Sequence, residues 1–265
     1  MRIKEMKTTF DKPEVFTEQF IPDHTFVYIL KGKIHCYDGT TDQVLAANAC
    51  YLFRKNYLVK YYEKKGELAL IRICLEEPFL KRFQEKYKVF TEKIRTPEIL
   101  FLLNKTELTT NYVESLTPYY HHSEIDEPFA DVKKEELLLI LLQNQPELAG
   151  IFFDYRSPEK IDLQAFMNRN YKFNVSVDRF AYLTGRSLSA FKRDFIQVFD
   201  DTPSRWLVTR RLQEARFLID QKNKKPAEIY LDLGFEDLSH FSHAFKNRFG
   251  LTPSELSAQK KTGSR

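Results

Sequence analysis

Hydrogen-bond donors recur at helical spacing in one stretch of the C-terminal half, and their types suit recognition of a polyanion. Five polar positions point away from an apolar stripe: Ser187, Ser189, Lys192, Arg193 and Gln197. Arg193 can form a bidentate pair with the O6 and N7 atoms of guanine, and Lys192 adds a second donor. Ser189, near the start of the predicted helix, can reach a base or a phosphate. The alternative is that Lys192 and Arg193 contact phosphates and do not distinguish one base from another.

The same arrangement recurs fifty residues later in the chain. The two copies read Leu188-Ser189-x-Phe191-x3-Phe195-x3-Phe199-x2-Thr202-Pro203-Ser204 and Leu238-Ser239-x-Phe241-x3-Phe245-x3-Phe249-x2-Thr252-Pro253-Ser254. In each copy the leucine and the phenylalanines fall on one stripe of a helix of about three turns. The polar face of the second helix includes Ser239, Ser242, His243, Lys246 and Asn247.

A short helix and a glycine turn are predicted upstream of each stripe. The residues that mark these starts and turns are Ser176, Gly185 and Ser187 in the first copy and Pro226, Gly234 and Asp237 in the second. Serine and aspartate are good N-caps, and proline suits the first helical position. Glycine suits a turn with positive φ between two helices. The predicted helices span residues 177–183 and 226–233, so a helix-turn-helix occurs twice.

Charge divides the chain into two parts. Residues 1–159 contain 22 Lys and Arg against 25 Asp and Glu, whereas residues 160–265 contain 19 against 12. The resulting net charges are −3 and +7, and a basic C-terminal part is typical of polyanion binding. A polar, proline-containing stretch at residues 154–160 indicates a linker. We therefore expect an N-terminal sensor and dimerisation domain at 1–154, a linker at 155–160, a helical domain at 161–258 and a tail at 259–265.

Three segments together closely resemble the AraC/XylS transcriptional regulators over about residues 160–258. They are Ala181-x3-Gly185-x-Ser187, then Arg210-Arg211-Leu212-x2-Ala215-x2-Leu218, then Gly234-Phe235-x3-Ser239-x-Phe241-x3-Phe245-Lys246-x2-Phe249-Gly250-x-Thr252-Pro253. The resemblance implies a connecting helix near residues 203–220 that holds two recognition helices about one DNA turn, ~34 Å, apart. It also implies a set of base-facing positions: Ser189, Lys192, Arg193, Ser239, Ser242 and His243.

Two positions depart from the family pattern. His243 stands where many relatives have arginine, and imidazole cannot form the guanidinium fork. We therefore predict that the first helix discriminates bases, whereas the second anchors phosphates through Lys246, Asn247 and the amides near Asp237. Tyr230 stands where a small residue usually packs against the second recognition helix, and we expect it to tilt that helix.

Three further arginines are candidate phosphate contacts: Arg186, Arg205 and Arg210. They lie near predicted helix starts or on the connecting helix. For each, the alternative is a solvated arginine or one paired within the protein.

The N-terminal half has a different pattern. Residues 25–75 form six short β-rich runs with turn residues between them, which favours an antiparallel barrel or sandwich. Helical periodicity follows Pro78. Residues 28–32 and 48–58 loosely resemble the cupin-type barrel that precedes this DNA-binding module in many AraC-family proteins. The expected fold class is α+β: an N-terminal antiparallel, cupin-like β-barrel with following helices, then an all-α domain of two helix-turn-helix motifs joined by a connecting helix.

The predicted helix at residues 129–143 is apolar around more of its circumference than one packing contact requires. It is either buried within its own domain or shared with a partner subunit, with Leu137, Ile140 and Leu141 as candidate dimer contacts. The run at 134–142 also resembles the family's subgroup that controls type III secretion, in which a partner protein governs the N-terminal domain. A small-molecule effector and a regulatory partner protein both stay open.

Eleven of the fourteen tyrosines lie in the first 155 residues. A ligand pocket that stacks on a sugar or planar ligand would involve Tyr28, Tyr37, Tyr51, Phe53 and Tyr61, and an aromatic barrel core is the alternative. Only His24 and His35 fall in the predicted barrel, so no metal is expected. No GxSxG, glycine-rich phosphate loop or HExxH is present, so we expect neither an enzyme nor a cofactor.

The three cysteines do not have metal-ligand spacing, and no apolar run reaches about 18 to 20 residues. We therefore expect a cytoplasmic protein that is not bound to a membrane. The sequence predicts a homodimeric, sequence-specific regulator that binds double-stranded DNA. The resemblance implies recruitment of RNA polymerase, and activation is the family's commoner outcome. A barrel enzyme or ligand-binding module with a basic helical tail is the distant alternative. A basic tail of that kind would not be expected to contain a sequence repeat at an offset of fifty residues.

Overall fold

The computed structural model describes residues 8–10, 14–15, 19–63, 66–91, 96, 98–116 and 127–263. The chain divides into two compact units, Met1–Arg156 and Ser157–Arg265. The first contains antiparallel sheets and helices, with one strand, Leu100–Leu103, after the first helix, and the described part of the second is helical. The predicted α+β class is confirmed. No helix within the described ranges is both long and apolar enough to cross a bilayer.

The strands that the structure describes in the first unit form three sheets. They are β1 (Thr8–Phe10), β2 (Glu14–Val15), β3 (Phe20–Ile21), β4 (His24–Lys31), β5 (Lys33–Tyr37), β6 (Asp42–Ala46), β7 (Cys50–Phe53), β8 (Tyr57–Leu58), β9 (Lys60–Glu63), β10 (Gly66–Leu75) and β11 (Leu100–Leu103). The orders are β1-β10-β4-β7-β11, β2-β9-β5-β6 and β3-β8, and the paired strands run antiparallel.

The five-stranded sheet has a core on each face because side chains alternate along a strand. On β4, Val27 and Ile29 belong to one buried cluster together with Ile34 of β5. Phe26 and Tyr28 point the other way and belong to a second cluster, formed with the helices of this unit. This second cluster holds α1 (Glu77–Tyr87), α2 (Glu107–Ser115), α3 (Glu127–Asn144) and α4 (Ala149–Phe152) against the sheet.

The second unit consists of α5 (Leu163–Asn170), α6 (Val177–Leu183), α7 (Leu188–Phe199), α8 (Pro203–Lys222), α9 (Pro226–Ile229), α10 (Leu238–Phe249) and α11 (Pro253–Gly263). Three of the predicted caps are confirmed. The side chains of Ser176, Ser187 and Asp237 each accept a hydrogen bond from a backbone N–H of the following turn. Such caps satisfy amide groups that have no partner within the helix.

The connecting helix α8 begins at Pro203, as predicted, and ends two residues later than expected, at Lys222. The helix predicted from Pro226 to residue 233 is wrong in length, since α9 ends at Ile229 and tight turns follow. The predicted glycine turn is nevertheless present, because Gly234 precedes α10 with φ of 84°.

Gly185 turns the chain between α6 and α7 with φ of 65°. A Cβ atom there would lie 2.4 Å from the carbonyl carbon of Glu159, so no side chain fits. The start of the second unit therefore packs directly on the turn of the first helix-turn-helix.

Candidate nucleic-acid interface

The first recognition helix, α7, buries one face and exposes the other. Phe191 and Phe195 are fully buried, and the Phe195 ring lies 5.6 Å from the ring of Trp206 on α8. The predicted contact residues are all exposed: Ser187, Ser189, Lys192, Arg193 and Gln197. The structure thus places the five on the outer surface of the helix. Ser187 also caps the helix by accepting from the Ala190 N–H at 3.3 Å.

A carboxylate lies beside the candidate base reader on α7. The Arg193 side chain is 71% exposed, and its Nη2 lies 3.2 Å from Oδ1 of Asp194. The other carboxylate oxygen of Asp194 accepts from Nε of Arg186 at 3.1 Å and lies 3.5 Å from Nζ of Lys160. The hydrogen bond from Arg186 holds the pKa of Asp194 below its ordinary value. The carboxylate therefore stays charged at neutral pH and orients Arg193.

The second recognition helix, α10, has a similar inward face. Phe241 and Phe245 are fully buried, and the ring centroid of Phe235 lies 5.0 Å from that of Phe241. Four of the predicted contact residues are exposed, namely Ser239, His243, Lys246 and Asn247, whereas Ser242 is half-buried. The side chains of His243 and Asn247 lie 3.2 Å apart and form a hydrogen bond one turn apart on the helix.

Tyr230 lies at the end of α9, where its backbone accepts a hydrogen bond from the Phe235 N–H. Its side chain is half-buried and packs against the core that contains Phe241 and Phe245. The expected tilt of the second recognition helix stays a prediction.

The three further arginines have different surroundings. Arg186 is a structural residue, because its buried guanidinium donates to Asp194 and to the carbonyls of Ile161 and Thr184. This matches the alternative of an arginine paired within the protein. Arg210 lies over the ring of Tyr171, 4.7 Å from its centroid. Arg205 is 83% exposed, with Nε 3.6 Å from Asp201, and is the candidate phosphate contact that the surface favours.

Arg211 is a buried cation that sequence reasoning missed. It lies on α8 and donates to the carbonyls of Tyr171 at 2.7 Å, Phe173 at 2.7 Å and Gly234 at 2.9 Å. Burial lowers its pKa to about 10, so it keeps its charge at neutral pH. Arg211 thereby joins the segment just after α5 to the glycine turn of the second helix-turn-helix. The signal in the sequence is an arginine on the apolar face of the connecting helix, next to Leu212.

The predicted ligand pocket in the first unit needs a correction. Tyr28 faces the helices, whereas Tyr51, Phe53 and Tyr61 face the core between the sheets. The hydroxyl of Tyr51 accepts from the Ala46 N–H at 2.9 Å, and that of Tyr37 donates to the Gly39 carbonyl at 2.7 Å. Alternation along the strands sends these side chains to opposite faces, so the five do not line one pocket.

A cleft of about 240 Å³ does lie in this unit, at a different place. It is lined by Cys36, Asp38, Gln43, Val59, Glu98, Ile99 and Leu100. Within the described ranges, no group of three His, Cys, Asp or Glu side chains could hold a metal ion.

The predicted dimer contacts on α3 also need a correction. Leu137, Ile140 and Leu141 are buried in their own unit, in the core shared with the sheet. A residue that fills this core is not available to a second subunit. The exposed apolar face of α3 consists instead of Phe129, Val132 and Leu139.

Two family models match separate parts of the chain. The family model for the ExsA N-terminal regulatory domain matches residues 24–151, and a model for a helix-turn-helix domain matches residues 180–259. The virulence regulon transcriptional activator VirF of Yersinia enterocolitica is 28% identical over 240 residues, which are 88% of each chain. The HTH-type transcriptional regulator ExsA of Pseudomonas aeruginosa is 26% identical over 86% of this chain and 84% of its own.

Among solved structures, an apo ToxT variant from Vibrio cholerae covers 95% of this chain and 94% of its own, at 15% identity and a TM-score of 0.45. The paired helix-turn-helix motifs and the family matches define the class. The protein is a DNA-binding transcription regulator with an N-terminal regulatory domain, and it is not an enzyme. Within that class, the chain belongs to the AraC/XylS family, which confirms the resemblance seen in the sequence.

Proposed function

We propose that the protein activates transcription by binding two short DNA boxes, with α7 in one major-groove segment and α10 in the next, about one helical turn or ~34 Å away. The observation that carries this proposal is the pair of capped helices, each with a buried phenylalanine stripe and an exposed polar face. Arg193 reads a guanine with Lys192 beside it. Lys246 and Asn247 mainly anchor phosphates, and Arg205 adds a phosphate contact.

The exposed apolar face of α3 supports a homodimer. Phe129, Val132 and Leu139 are 58%, 61% and 42% exposed, and they follow one side of the helix. Association with a second copy that covers these apolar side chains is favourable, because it removes their surface from water. Two copies would place two pairs of recognition helices near a promoter, where the activator recruits RNA polymerase in the cytoplasm.

A protein partner is the proposed signal for the N-terminal unit, residues 1–156. The match to the ExsA regulatory domain supports the type III secretion subgroup, in which a partner protein governs this domain. The hydroxyls of Tyr37 and Tyr51 already form hydrogen bonds within the protein, to the Gly39 carbonyl and the Ala46 N–H. This observation favours a protein over a small molecule that those two hydroxyls would bind.

The test is selection of bound duplexes from a random pool by the full chain, followed by titration of the enriched duplex against a scrambled one at two salt concentrations. The proposal predicts two boxes about one turn apart, bound at least about a hundredfold more tightly than the scrambled duplex. It also predicts weaker binding to both duplexes at higher salt, because phosphate contacts release counterions. Equal affinity for the enriched and scrambled duplexes would contradict it.

A further inference from the structure

Ile196 lies among the candidate base-reading residues of α7, although it is apolar. Its side chain is 49% exposed, while the neighbouring Phe195 is fully buried. Ser189, Lys192 and Arg193 precede it by seven, four and three residues, so all four share one face of the helix. Ile196 therefore lies in the middle of a polar contact face. It does not belong to the inward apolar stripe that packs α7 against its own unit.

Exposure alone does not single out Ile196. Val198 is also β-branched and 43% exposed. Residues two positions apart in an α-helix point about 200° away from each other around the helix axis. Val198 therefore lies on nearly the opposite side of α7 from Ile196. Fifty residues later, the position equivalent to Ile196 holds the exposed Lys246. The two recognition helices therefore offer different chemistry at the same place, an apolar group on α7 and a cation on α10.

We infer that Ile196 is a specificity-determining residue that contacts the C5-methyl group of a thymine in the first box. That methyl is the apolar feature of the major-groove edge, and apolar side chains recognise it by contact. Covering Ile196 with a methyl group removes apolar surface of both partners from water, whereas a phosphate or a cytosine edge would leave it without a favourable contact. The inference rests on the proposed function, since it requires α7 to lie in the major groove.

The experiment removes only the methyl group. In the duplex enriched by the full chain, each thymine of the first box is replaced singly by deoxyuridine, and the Kd is measured for the wild type and three variants. We expect one replacement to weaken wild-type binding about fourfold, as expected for loss of one buried methyl. Ile196→Ala should bind the thymine duplex correspondingly less tightly and no longer distinguish thymine from deoxyuridine. Ile196→Val should keep part of the discrimination.

Val198→Ala is the matched control, because it shortens a similarly exposed β-branched residue on the other side of the helix. Val198→Ala should keep the wild-type response to deoxyuridine. If only Ile196→Ala loses that response, the response comes from contact with Ile196 and not from a change in DNA shape. An unchanged response in Ile196→Ala, or no wild-type response at any thymine of the first box, would overturn the inference and leave the proposed function intact. If the full chain enriches no sequence, the proposed function fails and this contact fails with it.

Discussion

Arg193 and Lys246 are both exposed cations on recognition helices, yet their surroundings differ. Arg193 is held by the carboxylate of Asp194 at 3.2 Å, and a guanidinium oriented in this way loses less side-chain entropy when it binds a planar base edge. Lys246 lies near the C-terminal end of α10 and carries a compact charge on a flexible side chain. At the scale of residues, the first suits base reading and the second suits phosphate contact.

We expect Arg193→Ala to reduce affinity for the enriched duplex by roughly 1 to 3 kcal/mol and to relax specificity at one base position. Lys246→Ala should weaken binding to all sequences alike and reduce the slope of log K against log salt by about 1. Titrations of enriched and scrambled duplexes at several salt concentrations measure both. Equal losses on the two duplexes for Arg193→Ala would remove it as a base reader.

His24 makes the stability of the first unit depend on pH. It is buried beside Lys55 and Arg54, its ring meets Phe152 edge-on at 5.7 Å, and Asp154 lies in the same surroundings. Burial, helped by Lys55 and Arg54, lowers its pKa from 6.5 to about 3. Below pH 6.5 the unfolded chain therefore binds a proton that the folded chain does not, and stability falls as pH decreases.

Calorimetry of the full chain at pH 7.5 and pH 5 tests this dependence. The proton on the unfolded His24 should cost the folded state about 2 kcal/mol at pH 5. His24→Phe removes the titrating group, so its melting temperature should fall less than that of the wild type over the same interval. Equal decreases in the two proteins would show that His24 does not cause the dependence.

At the scale of elements, Arg211 connects three parts of the second unit. From α8 it reaches two carbonyls just after α5 and the Gly234 carbonyl before α10. Packing around it is close, since a Cβ at Gly234 would lie 2.9 Å from the guanidinium carbon of Arg211. This buried cation is tolerated because each of its three guanidinium nitrogens donates a hydrogen bond to a carbonyl.

Arg211→Lys should destabilise the second unit by about 2 kcal/mol or more, because one ammonium cannot replace the three diverging N–H groups and leaves buried carbonyls unpaired. Arg210→Lys, at the adjacent and less buried position, is the control and should cost less than about 1 kcal/mol. Trp206, the single tryptophan, packs against Phe195 and Phe199 in this unit, so its fluorescence reports urea unfolding. Similar losses in the two variants would contradict this role for Arg211.

At the scale of the whole molecule, the apolar residues of α3 fall into two sets with different roles. Leu137 and Leu141 lie in the core of the first unit, whereas Phe129, Val132 and Leu139 remain on its surface. Only the exposed set is available to a second copy. The proposed dimer therefore depends on residues that contribute little to the folding of one chain.

If the proposed dimer forms, Val132→Asp should convert it to a folded monomer, because the substitution places a charge in the middle of the proposed interface. Leu102→Asp is the control, since Leu102 is 67% exposed on β11 and lies outside that face. Sedimentation of both variants measures the mass, and circular dichroism checks that they are folded. A dimeric Val132→Asp protein would place the interface elsewhere.

The sequence alone determined the paired helix-turn-helix motifs. Phenylalanine spacing, the caps Ser187 and Asp237 and the glycine turns are local signals, because helix periodicity and capping depend on residues a few positions apart. Ser189, Lys192 and Arg193 were placed on the exposed face for the same reason. The family follows from these motifs, which occupy fixed positions in the chain.

Only the tertiary structure decided which of several apolar or charged side chains meet another element. It buries Leu137, Ile140 and Leu141 and exposes Val132, because the position of the sheet selects the inward face of α3. It separates Tyr28 from Tyr51 across the sheet and surrounds Arg211 with carbonyls distant in sequence. Such contacts depend on how remote segments pack, which no local pattern specifies.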